Sequence, residues 1–151
     1  MPSFMNLQQY KYNFNFFSWI KKTELVELSE INVNDDPIRP ELDNAFRTSQ
    51  GRKIFGLKFN KEIEGVVCVA FMNEIPSTIK ELELMSIGEN EGKIAVAYTL
   101  WSLKKGAGKK IMKELLKYMK DNNRLDSVMT LSPLTPMATH YHIRNGAKLL
   151  R

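Results

Sequence analysis

The sequence predicts an α+β domain in which a central, mainly antiparallel sheet carries helices on its faces. Three observations lead there. Two apolar runs, Lys53–Phe59 and Val66–Met72, are separated by the short polar interval Asn60–Gly65, which is the pattern of a hairpin. Lys93–Trp101 is a long strand of Ile, Val, Tyr, Thr, Leu and Trp that runs into a glycine-bearing turn. Beyond that turn, Ile111, Met112, Leu115, Leu116 and Met119 recur on one stripe with lysines on the other face, the pattern of an amphipathic helix.

The remaining elements follow in chain order. Tyr10–Ile20 is aromatic-rich and reads as a strand or a docking helix. Pro40–Thr48 reads as a short helix, since Leu42, Ala45 and Phe46 fall at helical spacing after Pro37 and Pro40, and Gly51 closes it. Pro76, Ser77 and Thr78 open another short helix carrying Ile79 and Leu82, with Leu84 a further candidate, and Gly88–Gly92 is a turn. Asp126–Leu131 is a short strand closed by Pro133. Pro136 then begins a helix over Met137–Asn145 with Gly146 as its C-cap, and Ala147–Arg151 is a last short strand.

At 151 residues the chain suits one domain, 1–151, and 43% hydrophobic with 26% charged residues is the balance of a globular protein. No apolar run is long enough to span a bilayer, and the first residues lack the apolar core of a signal peptide. One cysteine, Cys68, lies inside an apolar run, so no internal disulfide forms and a reducing cytoplasm suits the chain. Two histidines with one cysteine make no zinc set. The net charge of +5 favours an anionic partner. That charge is local: Lys104–Lys120 holds seven lysines against one acid, Glu114, which favours a phosphorylated small molecule over a diffuse nucleic-acid surface.

The glycine turn carries the chemistry. Ser102-Leu103-Lys104-Lys105-Gly106-Ala107-Gly108 links a long strand to a basic helix. Glycines let a backbone approach a phosphate, and the free amides of a helix N-terminus point at the anion. The expected binding residues are Leu100, Leu103, Lys104, Lys105, Gly106, Ala107, Gly108, Lys109 and Lys110. The bland alternative for this stretch is a solvated lysine face on an ordinary helix.

This strand, loop and helix resemble the coenzyme A motif of the GNAT acyltransferase superfamily. Leu103 stands where that motif usually has Gln or Arg, and His142 stands where the superfamily commonly has a tyrosine acid. Tyr141-His142-Ile143-Arg144-Asn145-Gly146-Ala147 is similar to a motif of the GNAT-related malonyl-CoA decarboxylases, as is Thr130-Leu131-Ser132-Pro133, whose family counterpart holds a catalytic serine. Val69-Ala70-Phe71, Ile75–Ile79 and Phe17-Ser18-Trp19 add to the likeness, which covers about Phe14–Leu150. The family's N-terminal helical domain has no counterpart. Its insertion between serine and histidine is reduced to nine residues, and Thr135-Pro136-Met137 replaces its Gly-Phe.

The resemblance implies the GNAT fold and an acyl-CoA cofactor, malonyl-CoA or acetyl-CoA, held in a gap between two splaying parallel strands, Lys93–Trp101 and Ser127–Leu131. It implies catalysis by His142, as proton donor, and Ser132. An acetyl-CoA-dependent N-acetyltransferase and a non-catalytic basic module are the competing readings. Glu74, Glu81 and Glu83 are the available general bases for an amine acceptor, against a solvated acidic face. Trp19, Trp101 and Phe14–Phe17 are expected in the core, His140 on the surface, and Met112, Met119, Met129 and Met137 in the core or lining an acyl channel. A GNAT sheet has one more strand after Ala147–Arg151, so a homodimer is expected to cover that edge.

Overall fold

The computed structural model describes residues 23–121 and 125–131. They form one five-stranded sheet in the order β1-β2-β3-β4-β5. The strands are β1 (Thr23–Leu28), β2 (Arg52–Phe59), β3 (Glu62–Met72), β4 (Ile94–Ser102) and β5 (Ser127–Thr130). The first four pair antiparallel, and β5 pairs with β4 in parallel. The helices are α1 (Asn44–Thr48), α2 (Ile79–Met85) and α3 (Ala107–Lys120), with a 3-10 turn at Val33–Asp35. The fold is thus the expected α+β one.

Each face of the sheet is covered. On one, Phe55, Leu57, Val67, Val69, Phe71, Ala95 and Ala97 meet Ala107, Ile111, Leu115 and Met119 of α3. On the other, Ile54, Val66, Cys68, Ala70, Met72, Val96, Tyr98 and Trp101 meet Leu42 and Leu82. β3 contributes to both clusters, and from Glu64 to Met72 every one of its residues is buried. Such a continuous apolar run is what a strand covered on both faces requires.

Several boundaries differ from the sequence expectation. The hairpin connection is only Asn60-Lys61, because Phe59 pairs with Glu62, so β3 takes in residues 62–65. Asn60 makes the reversal with φ of 57°, in the left-handed region where Asn is well tolerated. α1 starts at Asn44 rather than Pro40, since the Asp43 side chain accepts from the Phe46 amide and caps it there. α2 is capped likewise by Thr78, which accepts from the Glu81 amide. Leu84 is 76% exposed, because two residues on from Leu82 is the far side of a helix, and Leu116 is 48% exposed, one step round from the Leu115 stripe. Trp101 and Met119 are buried as expected, and Met112 and Met129 are partly buried.

The expectations for Tyr10–Ile20, Trp19, Phe14–Phe17, Ser132, Met137–Asn145, His140, His142, Gly146 and Ala147–Arg151 lie outside the described residues. No helix among the described residues is long and apolar enough to cross a membrane.

Two β-bulges shape the sheet where the candidate site lies. Leu57 pairs with Gly65 and Lys58 with Ile63, which leaves Glu64 as the extra residue of β3. Cys68 pairs with Thr99 and Val69 with Ala97, which leaves Tyr98 as the extra residue of β4. A bulge turns the local backbone out of the ladder and shifts the in–out alternation by one. That shift puts Trp101 in the same cluster as Tyr98, while Leu100 packs towards α3.

Candidate functional site

The first part of the site is the loop between β4 and α3. The Glu64 carbonyl, released by its bulge, accepts from both the Leu103 amide (2.8 Å) and the Lys104 amide (3.3 Å). This pins the chain as it leaves β4. The Ala107 amide then bonds to the Lys104 carbonyl at 3.1 Å, and Lys110 to Gly106 at 3.4 Å. The amides of Lys105, Gly106, Gly108 and Lys109 donate to no protein acceptor among the described residues. These are the orphan donors of a helix N-terminus, left without a side-chain cap.

Gly106 is the N-cap, with φ of 84° and ψ of −7°, a backbone state that an L side chain enters only at a cost. A Cβ on it would meet nothing within 4 Å, so the space above the turn is open. Lys105, Lys109 and Lys110 are exposed around it, and Ala107 and Gly108 are buried against the sheet. Helix N-terminus, open glycine and lysines together make a cradle suited to a phosphate.

The other expected loop residues take distinct places. Lys104 Nζ is held by Glu62 Oε1 at 3.2 Å and Glu64 Oε2 at 3.6 Å, so its charge faces a neighbouring open groove lined by Phe59, Asn60, Lys61, Glu62 and Glu64. Its pKa is raised, chiefly by the hydrogen bond to Glu62. Leu103 is 49% exposed and contributes its amide bond to the anchoring of the loop. Leu100 is partly buried at the edge of the α3 cluster.

The second part is the end of the described β4–β5 ladder. Ile94–Ala97 pair with Ser127–Thr130, and the last ladder bond runs from the Leu131 amide to the Ala97 carbonyl at 2.9 Å. β4 continues to Ser102 without a β5 partner among the described residues. There the Arg39 guanidinium links β4 to the residue just beyond β5: Nε donates to the Tyr98 carbonyl at 2.9 Å and Nη2 to the Leu131 carbonyl at 3.1 Å. The Tyr98 carbonyl is available because of the bulge.

A buried polar network holds Arg39 there. Asp36 is fully buried and accepts from the amides of Ile38 (2.8 Å) and Arg39 (3.0 Å), from Thr99 Oγ1 (2.9 Å) and from Arg47 Nη1 (2.9 Å). Both side chains of the Asp36–Arg47 pair are 0% exposed. Arg47 also donates to the carbonyls of Leu42 and Arg39 and to Cys68 Sγ. Burial works against the Arg47 charge, but the bonds to Cys68 and Asp36 outweigh it and its pKa is raised. Burial pushes the Cys68 thiol up to about 11, so it stays protonated, a hydrogen-bond acceptor as well as the expected buried apolar group. Tyr98 Oη and Trp101 Nε1 lie beside this network, buried and without hydrogen-bond partners among the described residues, and burial pushes the Tyr98 hydroxyl well above its ordinary range.

None of these buried residues was singled out by sequence reasoning as functional. The one local signal is Asp36-Pro37 and Arg39-Pro40, which marks a constrained turn but not the carbonyls it faces. Among the carboxylates considered as general bases, Glu81 accepts from the Ser77 amide at 2.7 Å and belongs to the cap of α2, whereas Glu74 and Glu83 are exposed. No group of His, Cys, Asp and Glu among the described residues is arranged to hold a metal ion.

Comparison with known proteins places this architecture. No family model matches the chain, and no curated protein matches it in sequence. Solved structures do match in fold. A malonyl-CoA decarboxylase from Agrobacterium vitis superposes with a TM-score of 0.64 at 18% identity, over 93% of this chain and 42% of that one. A ribosomal-protein-alanine N-acetyltransferase from Brucella melitensis biovar Abortus 2308 gives 0.54 at 13% identity, over 86% and 94%. The aminoglycoside N-acetyltransferase AAC(6')-Iy, solved in complex with CoA, gives 0.56 at 8% identity, over 87% and 91%. The chain thus spans less than half the length of the decarboxylase and nearly all of the two acetyltransferases. At these identities the likeness is one of architecture, and the chain has the GNAT fold that these decarboxylases and N-acetyltransferases share.

Proposed function

We propose that the chain binds an acyl-CoA, with the pyrophosphate on the amides of Lys105, Gly106, Gly108 and Lys109, and acts on it as a malonyl-CoA decarboxylase-like lyase. The observation that carries the cofactor is the set of amides around Gly106 that donate to no acceptor among the described residues, at an open turn ringed by lysines. The lysines add a screened but favourable field for a polyanion. Support for the chemistry comes from the sequence: Ser132 immediately follows the strand end at Leu131, and His142 lies in the decarboxylase-like motif.

Loss of carbon dioxide from a malonyl thioester leaves an enolate, which needs hydrogen-bond donors and then a proton at the α-carbon. In this assignment His142 supplies that proton, since an imidazole titrates near neutrality. The Ser132 hydroxyl orients the departing carboxylate. The Arg39 bridge between Tyr98 and Leu131 is where the acyl end of the cofactor would lie.

The test is incubation with malonyl-CoA while carbon dioxide and free thiol are followed separately. Carbon dioxide release with the thioester intact, lost in His142→Ala, is the expected result. Free thiol that appears only when an amine is added would replace the lyase by N-acyl transfer. That second reading is favoured by the nearly complete overlap with the two acetyltransferases.

A further inference from the structure

Unlike Arg47, Arg39 has no carboxylate of its own among the described residues. Asp36 is engaged by Arg47 and Thr99, and no ion pair holds Arg39 among the described residues. Asp36 and Glu41 act on its charge through space, yet desolvation dominates and lowers its pKa. Nε and Nη2 are fixed on two backbone carbonyls, one on β4 and one just beyond β5, while Nη1 donates to no acceptor among the described residues. A half-buried cation satisfied only by neutral carbonyls, with donors left over, is poised for an anion.

Its position suits the far end of the cofactor. Tyr98 and Ser102 are four residues apart on an extended strand, about 13 Å. That separates the Arg39 bridge from the start of the phosphate cradle by a length on the order of an extended pantetheine arm. The thioester end would therefore arrive at the end of the described β4–β5 ladder, against the guanidinium.

We propose that Arg39 is a specificity-determining residue that binds the free carboxylate of the acyl group, an assignment that rests on the acyl-CoA reading above. Its fixed orientation matters: two bonds to the backbone hold the plane of the fork, so the remaining donors meet a carboxylate without further ordering of the side chain.

The test uses two stable thioethers of equal size, S-(2-carboxyethyl)-CoA and S-(2-carbamoylethyl)-CoA, with plain CoA as the third ligand. Titration calorimetry on the whole chain is expected to show the carboxylate bound about tenfold more tightly than the amide, as one charge-assisted bond provides. Arg39→Gln is expected to bring that ratio to about one while the Kd for the amide changes by less than about threefold. Arg39→Lys is expected to keep part of the preference. Equal binding by the unaltered protein, or a preference that survives in Arg39→Gln, overturns the assignment. If Arg39→Gln does not fold, the ratio in the unaltered protein and its reduction in Arg39→Lys decide the matter. Binding of CoA without charge preference defeats Arg39 alone; no binding of any of the three ligands defeats the acyl-CoA reading and Arg39 with it.

Discussion

Replacing Arg47 by methionine removes one half of the Asp36–Arg47 pair and leaves a carboxylate buried at 0% exposure. Breaking a buried pair from one side typically costs about 3–5 kcal/mol. Asp36 keeps two backbone amides and the Thr99 hydroxyl, so the lower end applies, about 3 kcal/mol. For a domain of this size that lowers the melting temperature by roughly 6–12 °C. Asp36→Asn combined with Arg47→Met removes both charges while an amide oxygen remains for Ile38 and Arg39. The double variant is expected to recover at least about 1 kcal/mol relative to the sum of the two single losses. Urea denaturation of all four proteins gives the cycle. A loss below about 1 kcal/mol in Arg47→Met, or singles that merely add, would refute the claim that this pair is a coupled, desolvated unit.

The other expectations concern single groups. Tyr98→Phe removes a buried hydroxyl that has no hydrogen-bond partner among the described residues, and stability is expected to stay level or rise by up to about 1 kcal/mol; a clear loss in the urea midpoint would show that the hydroxyl is bonded after all. Because burial raises the Cys68 thiol from 9.0 to about 11, the folded state holds its proton more tightly than the unfolded state. Its contribution is therefore complete below pH 9 and is lost as pH rises towards 11, up to about 3 kcal/mol, and the alkaline fall in melting temperature should be shallower in Cys68→Ala. Thr78→Ala removes the α2 cap, with an expected cost of about 1 kcal/mol by chemical denaturation; an unchanged midpoint would mean the cap bond adds nothing.

The sheet and α3 were legible because their signals are local. β3 is a nearly continuous apolar run, and the buried residues of α3 recur every four positions from Ala107 to Met119. The boundaries were less so. Glu62 and Glu64 look like loop residues, yet a two-residue turn draws them into β3, where the bulge at Glu64 anchors the glycine loop. The open turn at the start of α3 was readable from Gly106, Gly108 and the lysines, because helix N-termini are written in neighbouring residues. The arginine network was not. Arg47 meets Asp36 across 11 positions and Thr99 meets Asp36 across 63, and no periodicity marks a charged residue for the interior. Arg39 is harder still, since its partners are backbone carbonyls on β4 and just beyond β5, one of them exposed by a bulge that leaves no local trace.

If the turn at Gly106 cradles the pyrophosphate of coenzyme A, a Gly106→Val variant should bind it poorly. Titration of both proteins with CoA gives the comparison. Because the space at Gly106 is open, the variant meets backbone strain but no clash, at a cost on the order of 1–2 kcal/mol, and it should remain folded. The unaltered chain is expected to bind CoA, with a loss of at least about tenfold in the variant. No binding to the unaltered chain, or equal binding by the folded variant, would contradict it.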